Sequence, residues 1–170
     1  MLSFSPQMRK YRSAIFKLFA YAWALPNTAL GLLFGLLILG LGGRVQVVAG
    51  VAEFHSGIAG RFFASRPHPF CFGAITLGHV ILGTCHRQLA ALRGHEHVHV
   101  RQYERWGMFF LPAYALSSLW EVSHGRYGYR NNYFERQAYA AEDHQKLQDG
   151  SYTKQDEPES ECLHQPTKPL

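Results

Sequence analysis

The stretch LRGHEHVHVRQYERWG, Leu92 to Gly107, places His95, Glu96, His97 and His99 within five positions. Alternation of His95, His97 and His99 suits a strand, whereas His95-Glu96-x-x-His99 suits a helix. Leu89, Leu92, Glu96, His99, Tyr103 and Trp106 follow one another in steps of three and four, which is the spacing of one helical face. The segment is too long and too charged for a single strand. Thr84 is a candidate N-cap and Gly107 a stop, so a helix is expected from about Cys85 to Trp106.

On a helix, His95 and His99 lie one above the other on the same face. Both imidazoles can then reach one tetrahedral Zn²⁺ at about 2.0–2.1 Å. Glu96, one step around, stands beside the metal and can take the proton of a water that the metal activates. His97 points away and is expected to be a surface or packing residue. HExxH is a short pattern in a chain with ten histidines, so its weight comes from lying inside a helix that follows a strand.

A catalytic zinc takes three protein ligands and keeps one position open. Glu104, Glu121, His124, Glu135, Glu142 and Asp143 lie downstream as candidates for the third ligand. Glu104 leaves the ligand face of the same helix. Glu135 lies near the start of a later helix, three residues before the small Ala138. A structural role competes for it, because Asn132-x-x-Glu135 has the spacing of a capping box. Tyr127, Tyr129, Tyr133 and His124 are candidate donors to a developing oxyanion, with packing as their rival role. Trp106, Phe109, Phe110, Tyr114 and Trp120 read as an apolar stripe between two helices.

His95-Glu96-x-x-His99 followed by Glu135-x-x-Ala138 resembles the gluzincin branch of the zincin metallopeptidases, in which a glutamate on a later helix completes the site. Thr76-Leu77-Gly78, the HExxH run, Val100 and Gln102 also resemble the small metallopeptidase-like domain associated with bacterial contractile injection systems. The likeness covers about residues 73–142 and leaves out the N-terminal segment. It implies a zinc site made of His95, His99 and Glu135, with Glu96 as general base. The implied function is hydrolysis of a peptide or protein substrate in a bacterial setting. The alternative is a non-catalytic metal-binding membrane protein that uses the same helix.

The flanking sequence sets the expected organisation. Residues 1–43 comprise a basic start (Arg9, Lys10, Arg12, Lys17) and an uncharged run from Ala20 to Gly43 that is long enough to cross a bilayer, for which roughly 20 apolar residues suffice. Pro26 is expected to kink or split this run. The basic side precedes it, which directs the N-terminus to the cytoplasm and the zinc helix outward across an inner membrane, although Arg44 blunts the bias. Residues 44–148 form the expected metal domain. RVQVVAGVAEFHSG and FGAITLGHVILG read as strands of a small antiparallel sheet, with a loop or short helix between them. Helices are expected from Cys85, from Pro112 to about Gly125, and from Tyr133 to about Gln148. Residues 149–170 are polar and read as a disordered tail. The fold class is therefore α+β, a minimal zincin-like domain of a small sheet and about three helices behind an apolar helix.

With 17 Lys+Arg against 12 Asp+Glu the chain is mildly basic, which suits an anionic membrane surface. No nucleic-acid module is legible. Cys71, Cys85 and Cys162 form no close pair, so neither a disulfide framework nor a CxxC metal site is expected.

Overall fold

A computed structural model describes residues 6–57 and 73–148. Helix α1 (Pro6–Gly40) is followed by strands β1 (Arg44–Val48), β2 (Val51–His55), β3 (Ala74–Leu77) and β4 (Val80–Gly83). Helix α2 (His86–Trp106) comes next. A 3₁₀ turn (Gly107–Phe109) then leads into α3 (Phe110–Ser123), and α4 (Tyr133–Gln148) closes the described chain. The architecture is α+β, a four-stranded sheet beside three helices and behind an apolar N-terminal helix.

The sheet departs from the expected antiparallel one. Each valine-rich segment is a complete hairpin, closed by two residues between Val48 and Val51 and by two between Leu77 and Val80. The hairpins join through β2 and β4, which run parallel, so the strand order is β1-β2-β4-β3. Glycine within each segment marks a turn: Gly50 and Gly78 both have positive φ, as two-residue hairpin turns require. The loop expected at residues 58–70, Cys71 and the tail with Cys162 lie outside the described residues. Cys85 is a free thiol.

Helix α2 is the central element. Leu89 and Val100 pack on Val51 and Ile81 of the sheet, and Tyr103 packs in a second cluster with Ala24, Phe110 and Phe134. Its cap is Cys85, whose sulfur accepts from Gln88 N, and not Thr84. The Thr84 hydroxyl is turned instead to the Gly73 carbonyl, 3.1 Å away. Gly107 ends the helix at φ 56°, a backbone state that favours glycine. Helix α3 begins two residues earlier than expected, at Phe110. Pro112 is thus in the first turn, where no intrahelical N–H partner is lost.

Glu53 locks α2 onto the sheet. It is fully buried, receives Arg93 of α2 at 2.8 and 2.9 Å, and accepts from Gln46 of β1 at 2.6 Å. Burial works to raise its carboxyl, but Arg93 and Gln46 outweigh this and hold it below the ordinary range. His97 Nε2 stands 3.7 Å from the same carboxylate, which accounts for this histidine away from the other two.

Helix α1 is continuous through Pro26 and is not split by it. It contacts the domain through small and polar side chains and through the rings of Tyr21 and Trp23. Asn27 Nδ2 donates to the Gly107 carbonyl at 3.1 Å, and Thr28 Oγ1 accepts from His79 N at 3.1 Å. A Cβ at Gly31 would meet Val80 Cβ at 2.7 Å and the Leu77 carbonyl at 2.9 Å, while one at Gly35 would meet the Phe54 ring at 2.7 Å. Gly31→Ala should therefore lift α1 from the β3–β4 hairpin. Overpacking of this kind costs about 1–3 kcal/mol, to be read as a lower thermal midpoint in detergent. An unchanged midpoint would mean that the close seat contributes nothing.

Candidate metal centre

Four polar side chains on α2, those of His95, Glu96, His99 and Gln102, are buried. Burying such groups is costly unless each is partnered, and here the partners come from β3, α4 and α2 itself. His95 Nε2 is 3.2 Å from His99 Nε2 and 3.2 Å from Glu135 Oε2, and His99 Nε2 is 3.4 Å from Glu135 Oε1. Glu135 is 3% exposed and sits in the first turn of α4. The three expected ligand residues thus converge from two helices. Among the described residues they form the one group of three or more potential ligands that could close on a single ion.

The spacing can be tested against coordination geometry. Two ligand atoms at about 2.0–2.1 Å from a tetrahedral ion stand about 3.3 Å apart. The 3.2 Å between the two imidazole nitrogens is close to that spacing, each nitrogen faces a different oxygen of the Glu135 carboxylate, and among the described residues no fourth ligand residue joins the three. The donor set, two imidazoles and a carboxylate, is one that Zn²⁺ takes.

Of the two outer nitrogens, that of His99 is hydrogen-bonded and that of His95 is not. Gln102 Oε1 lies 2.9 Å from His99 Nδ1, which fixes a proton there and leaves the Nε2 lone pair facing inward. Gln102 in turn donates to the Phe134 carbonyl at 3.0 Å and to Gln137 Oε1 at 3.1 Å, tying its carboxamide to α4. His95 Nδ1 has the Glu142 carboxylate at 3.5 Å, an ion-pair distance. The Tyr114 hydroxyl donates to Glu135 Oε1 at 2.8 Å, and the Tyr139 ring tilts against His95 with centroids 4.8 Å apart.

The capping role of Glu135 does not survive. Asn132 Oδ1 accepts from Phe134 N at 2.9 Å and so caps α4 by itself, while Asn132 N donates to the Tyr129 carbonyl at 3.0 Å. The Glu135 carboxylate is left for the imidazoles. The other candidates are engaged elsewhere: Glu104 faces His79 at 3.3 Å, and Glu121 pairs with Arg126 at 2.6 Å. His124 and Asp143 are exposed.

Glu96 is held by the Thr76 hydroxyl of β3, which donates to Oε2 at 2.6 Å. Burial pushes its carboxyl above the ordinary range, against the pull of His99, Thr76 and His95. A carboxyl tuned upward is suited to exchanging a proton near neutral pH.

Several supports of this cluster escaped the sequence. Tyr114 reads there as part of an apolar stripe. In the structure only Phe110 of that stripe is buried and Tyr114 is half-buried, while Trp106, Phe109 and Trp120 are exposed. Among the candidate oxyanion donors, Tyr127 and Tyr133 are exposed, and Tyr129 pairs with the Tyr139 hydroxyl. The Gln102 contact had a local signal, since residues three apart are neighbours on a helix.

The electrostatics predict a pH window for the metal-free chain. Burial works to raise the Glu135 carboxyl, but hydrogen bonds with His95, His99 and Tyr114 prevail and hold it at about 2, below the ordinary 4.5. Its stabilising contribution is present above pH 4.5 and is lost as pH falls toward 2. Burial works to lower His99, but Glu135 prevails and raises it above 6.5. That contribution is complete below pH 6.5 and fades as pH rises through the raised value. The Glu135–His99 pair therefore stabilises the metal-free chain most between pH 4.5 and 6.5, whereas the raised Glu96 contributes most below 4.5 and loses that contribution as pH rises. A thermal midpoint that climbs steadily from pH 6 to 8 in excess chelator would contradict this.

No family model, curated protein or solved structure matches the chain.

Proposed function

We propose that the protein is a membrane-anchored zinc hydrolase acting on peptide bonds, with His95, His99 and Glu135 holding the ion and Glu96 as general base. The observation that carries this reading is the convergence of His95, His99 and Glu135: the two imidazole Nε2 atoms stand 3.2 Å apart, and each faces one oxygen of the Glu135 carboxylate at 3.2 or 3.4 Å, close enough for the three residues to share one ion. A bound ion would supply Lewis acidity, polarising a carbonyl and lowering the pKa of water. Glu96, held by Thr76, takes a proton from the attacking water and returns it to the leaving nitrogen.

Catalysis is favoured over a structural metal site because the described residues offer three ligands to the cluster, with the buried Glu96 carboxylate beside them. A peptide substrate is favoured by β3. It is an edge strand among the described residues, and it carries Thr76 next to Glu96. An extended chain can add to such an edge through backbone hydrogen bonds.

The membrane part of the proposal rests on α1. Lys17–Gly40 is long and apolar enough to span a bilayer, and only 22% of its most apolar window is buried against the domain. Its inward face is small or polar, with Ala24, Asn27, Thr28 and Gly31, while Leu25, Leu33, Leu36 and Leu37 are exposed. That distribution suits lipid outside and close helix packing inside. The basic residues before the span and the bacterial family that the motif resembles favour an inner membrane with the N-terminus in the cytoplasm.

Metal analysis of the purified full chain tests the reading. One zinc per chain is expected in the wild type and in His97→Ala, and almost none in His95→Ala or His99→Ala. Equal zinc in all four proteins would refute the site. Absence of cleavage across a peptide library by the zinc-loaded chain would refute the hydrolase.

A further inference from the structure

Helix α3 is built inside out for a protein surrounded by water. No charged residue occurs from Met108 to Trp120. The face turned to the protein carries its polar groups: the Tyr114 hydroxyl goes to Glu135, Ser118 Oγ accepts from Asn132 Nδ2 at 2.7 Å, and Ser117 Oγ accepts from Tyr133 N at 2.9 Å. The face turned away carries Leu111, Leu116, Leu119, Trp120 and Val122, from 39% to 67% exposed. A surface helix of a water-soluble protein has the opposite arrangement.

The outward face of α3 is also continuous with that of α1. Trp23 stacks on Phe19, with centroids 6.2 Å apart, and reaches Phe109 at 5.9 Å. Phe19 is 66% and Phe109 56% exposed, so the two apolar faces meet across these rings. Arg101 and Arg105 precede the uncharged run, and Arg126 and Arg130 follow it. Exposed Trp106, Tyr127, Tyr129 and Tyr133 lie at the same ends. Basic and amphipathic aromatic residues at the ends of an apolar segment are the pattern of a membrane interface.

We infer that α3 is a second membrane element, lying in the bilayer boundary beside α1, and that the occupant of its apolar face is lipid. At 14 residues it is too short to span, for which about 20 are needed, and its length suits an interfacial or re-entrant helix. Through the Tyr114 contact with Glu135, this helix forms one wall of the metal cluster. The inference rests on α1 as a membrane span, and it is independent of the metal chemistry.

The experiment uses the full chain in phosphatidylcholine–phosphatidylglycerol bilayers, with Cys71, Cys85 and Cys162 replaced by serine. A nitroxide is placed in turn at Leu116→Cys, Leu119→Cys, Leu37→Cys on α1 and Arg87→Cys on α2. At Leu116, Leu119 and Leu37, oxygen should relax the label more than a water-soluble nickel complex does, with the reverse at Arg87. If nickel dominates at Leu116 and Leu119 while Leu37 stays lipid-exposed, the inference about α3 falls and the α1 span stands. If nickel dominates at Leu37 too, both fall. Shielding of Leu119 from both reagents in a dimeric protein would assign the face to a second copy and overturn the inference. Quenching of Trp120 by brominated phosphatidylcholine, in a chain carrying Trp23→Phe and Trp106→Phe, checks the result without a label. Absent quenching counts against the inference.

Discussion

Glu135→Ala should strip the protein of stoichiometric zinc. The substitution removes the only carboxylate among the three clustered ligand residues, and with it the group that faces both His95 Nε2 and His99 Nε2. Two imidazoles four residues apart on one helix remain, and two ligands hold zinc far more weakly than three. A useful yardstick is Gln102→Ala, which removes a partner of His99 Nδ1 and not a ligand. Losses of that kind weaken metal binding about 10–100-fold, and Glu135→Ala should exceed them. Thermal stability is to be measured alongside zinc content, because the Tyr114 hydroxyl also loses its acceptor. Full zinc retention with only a lower melting temperature would remove Glu135 from the site.

Glu96→Gln should leave zinc in place and abolish most of the hydrolysis. Glutamine keeps the shape of the side chain and an oxygen for the Thr76 hydroxyl, so the fold around residue 96 is preserved. What disappears is the ability to accept a proton. General acid–base groups contribute about 10²–10⁴-fold to rate, and a fall of at least that size is expected in the metal-loaded variant. Wild-type turnover in zinc-loaded Glu96→Gln would end the general-base assignment. Loss of zinc in this variant would instead make Glu96 a ligand.

The helices were legible because their signals are local. The steps of three and four from Leu89 to Trp106, the glycine at 107 and the asparagine at 132 each act within a few residues of where they stand. The sheet was half legible. Valine-rich alternation marks strands, but nothing within residues 44–55 or 73–83 specifies that β2 will lie parallel to β4, since that pairing depends on partners distant in sequence. The grouping of Glu135 with His95 and His99 came from spacing and resemblance. Its separation from the competing cap required coordinates, because Asn132-x-x-Glu135 satisfies both patterns in sequence. The packing of the Tyr114 ring was legible, but the Glu135 partner of its hydroxyl was not. A run such as FFLPAYALSSLW reads as a core helix if water is the assumed solvent, and the same run turns its polar side inward when its outer face is apolar.

The parallel join between the two hairpins also bears on how the chain assembles. Each hairpin closes over a two-residue turn, an event on the order of microseconds in small peptides. Pairing Ala52 with Val80 must close a much longer loop, and bringing Glu135 to His95 closes another across 40 positions. Loop closure must be completed before either contact can repay its entropy, so the local hairpins are expected to form before the β2–β4 seam and the helix pairing. A nascent chain would then hold two independent ribbons while its α2 histidines still lack their carboxylate partner. Metal captured at that stage would sit on incomplete ligand sets, and the seam between the hairpins becomes the step that commits the chain to a single architecture.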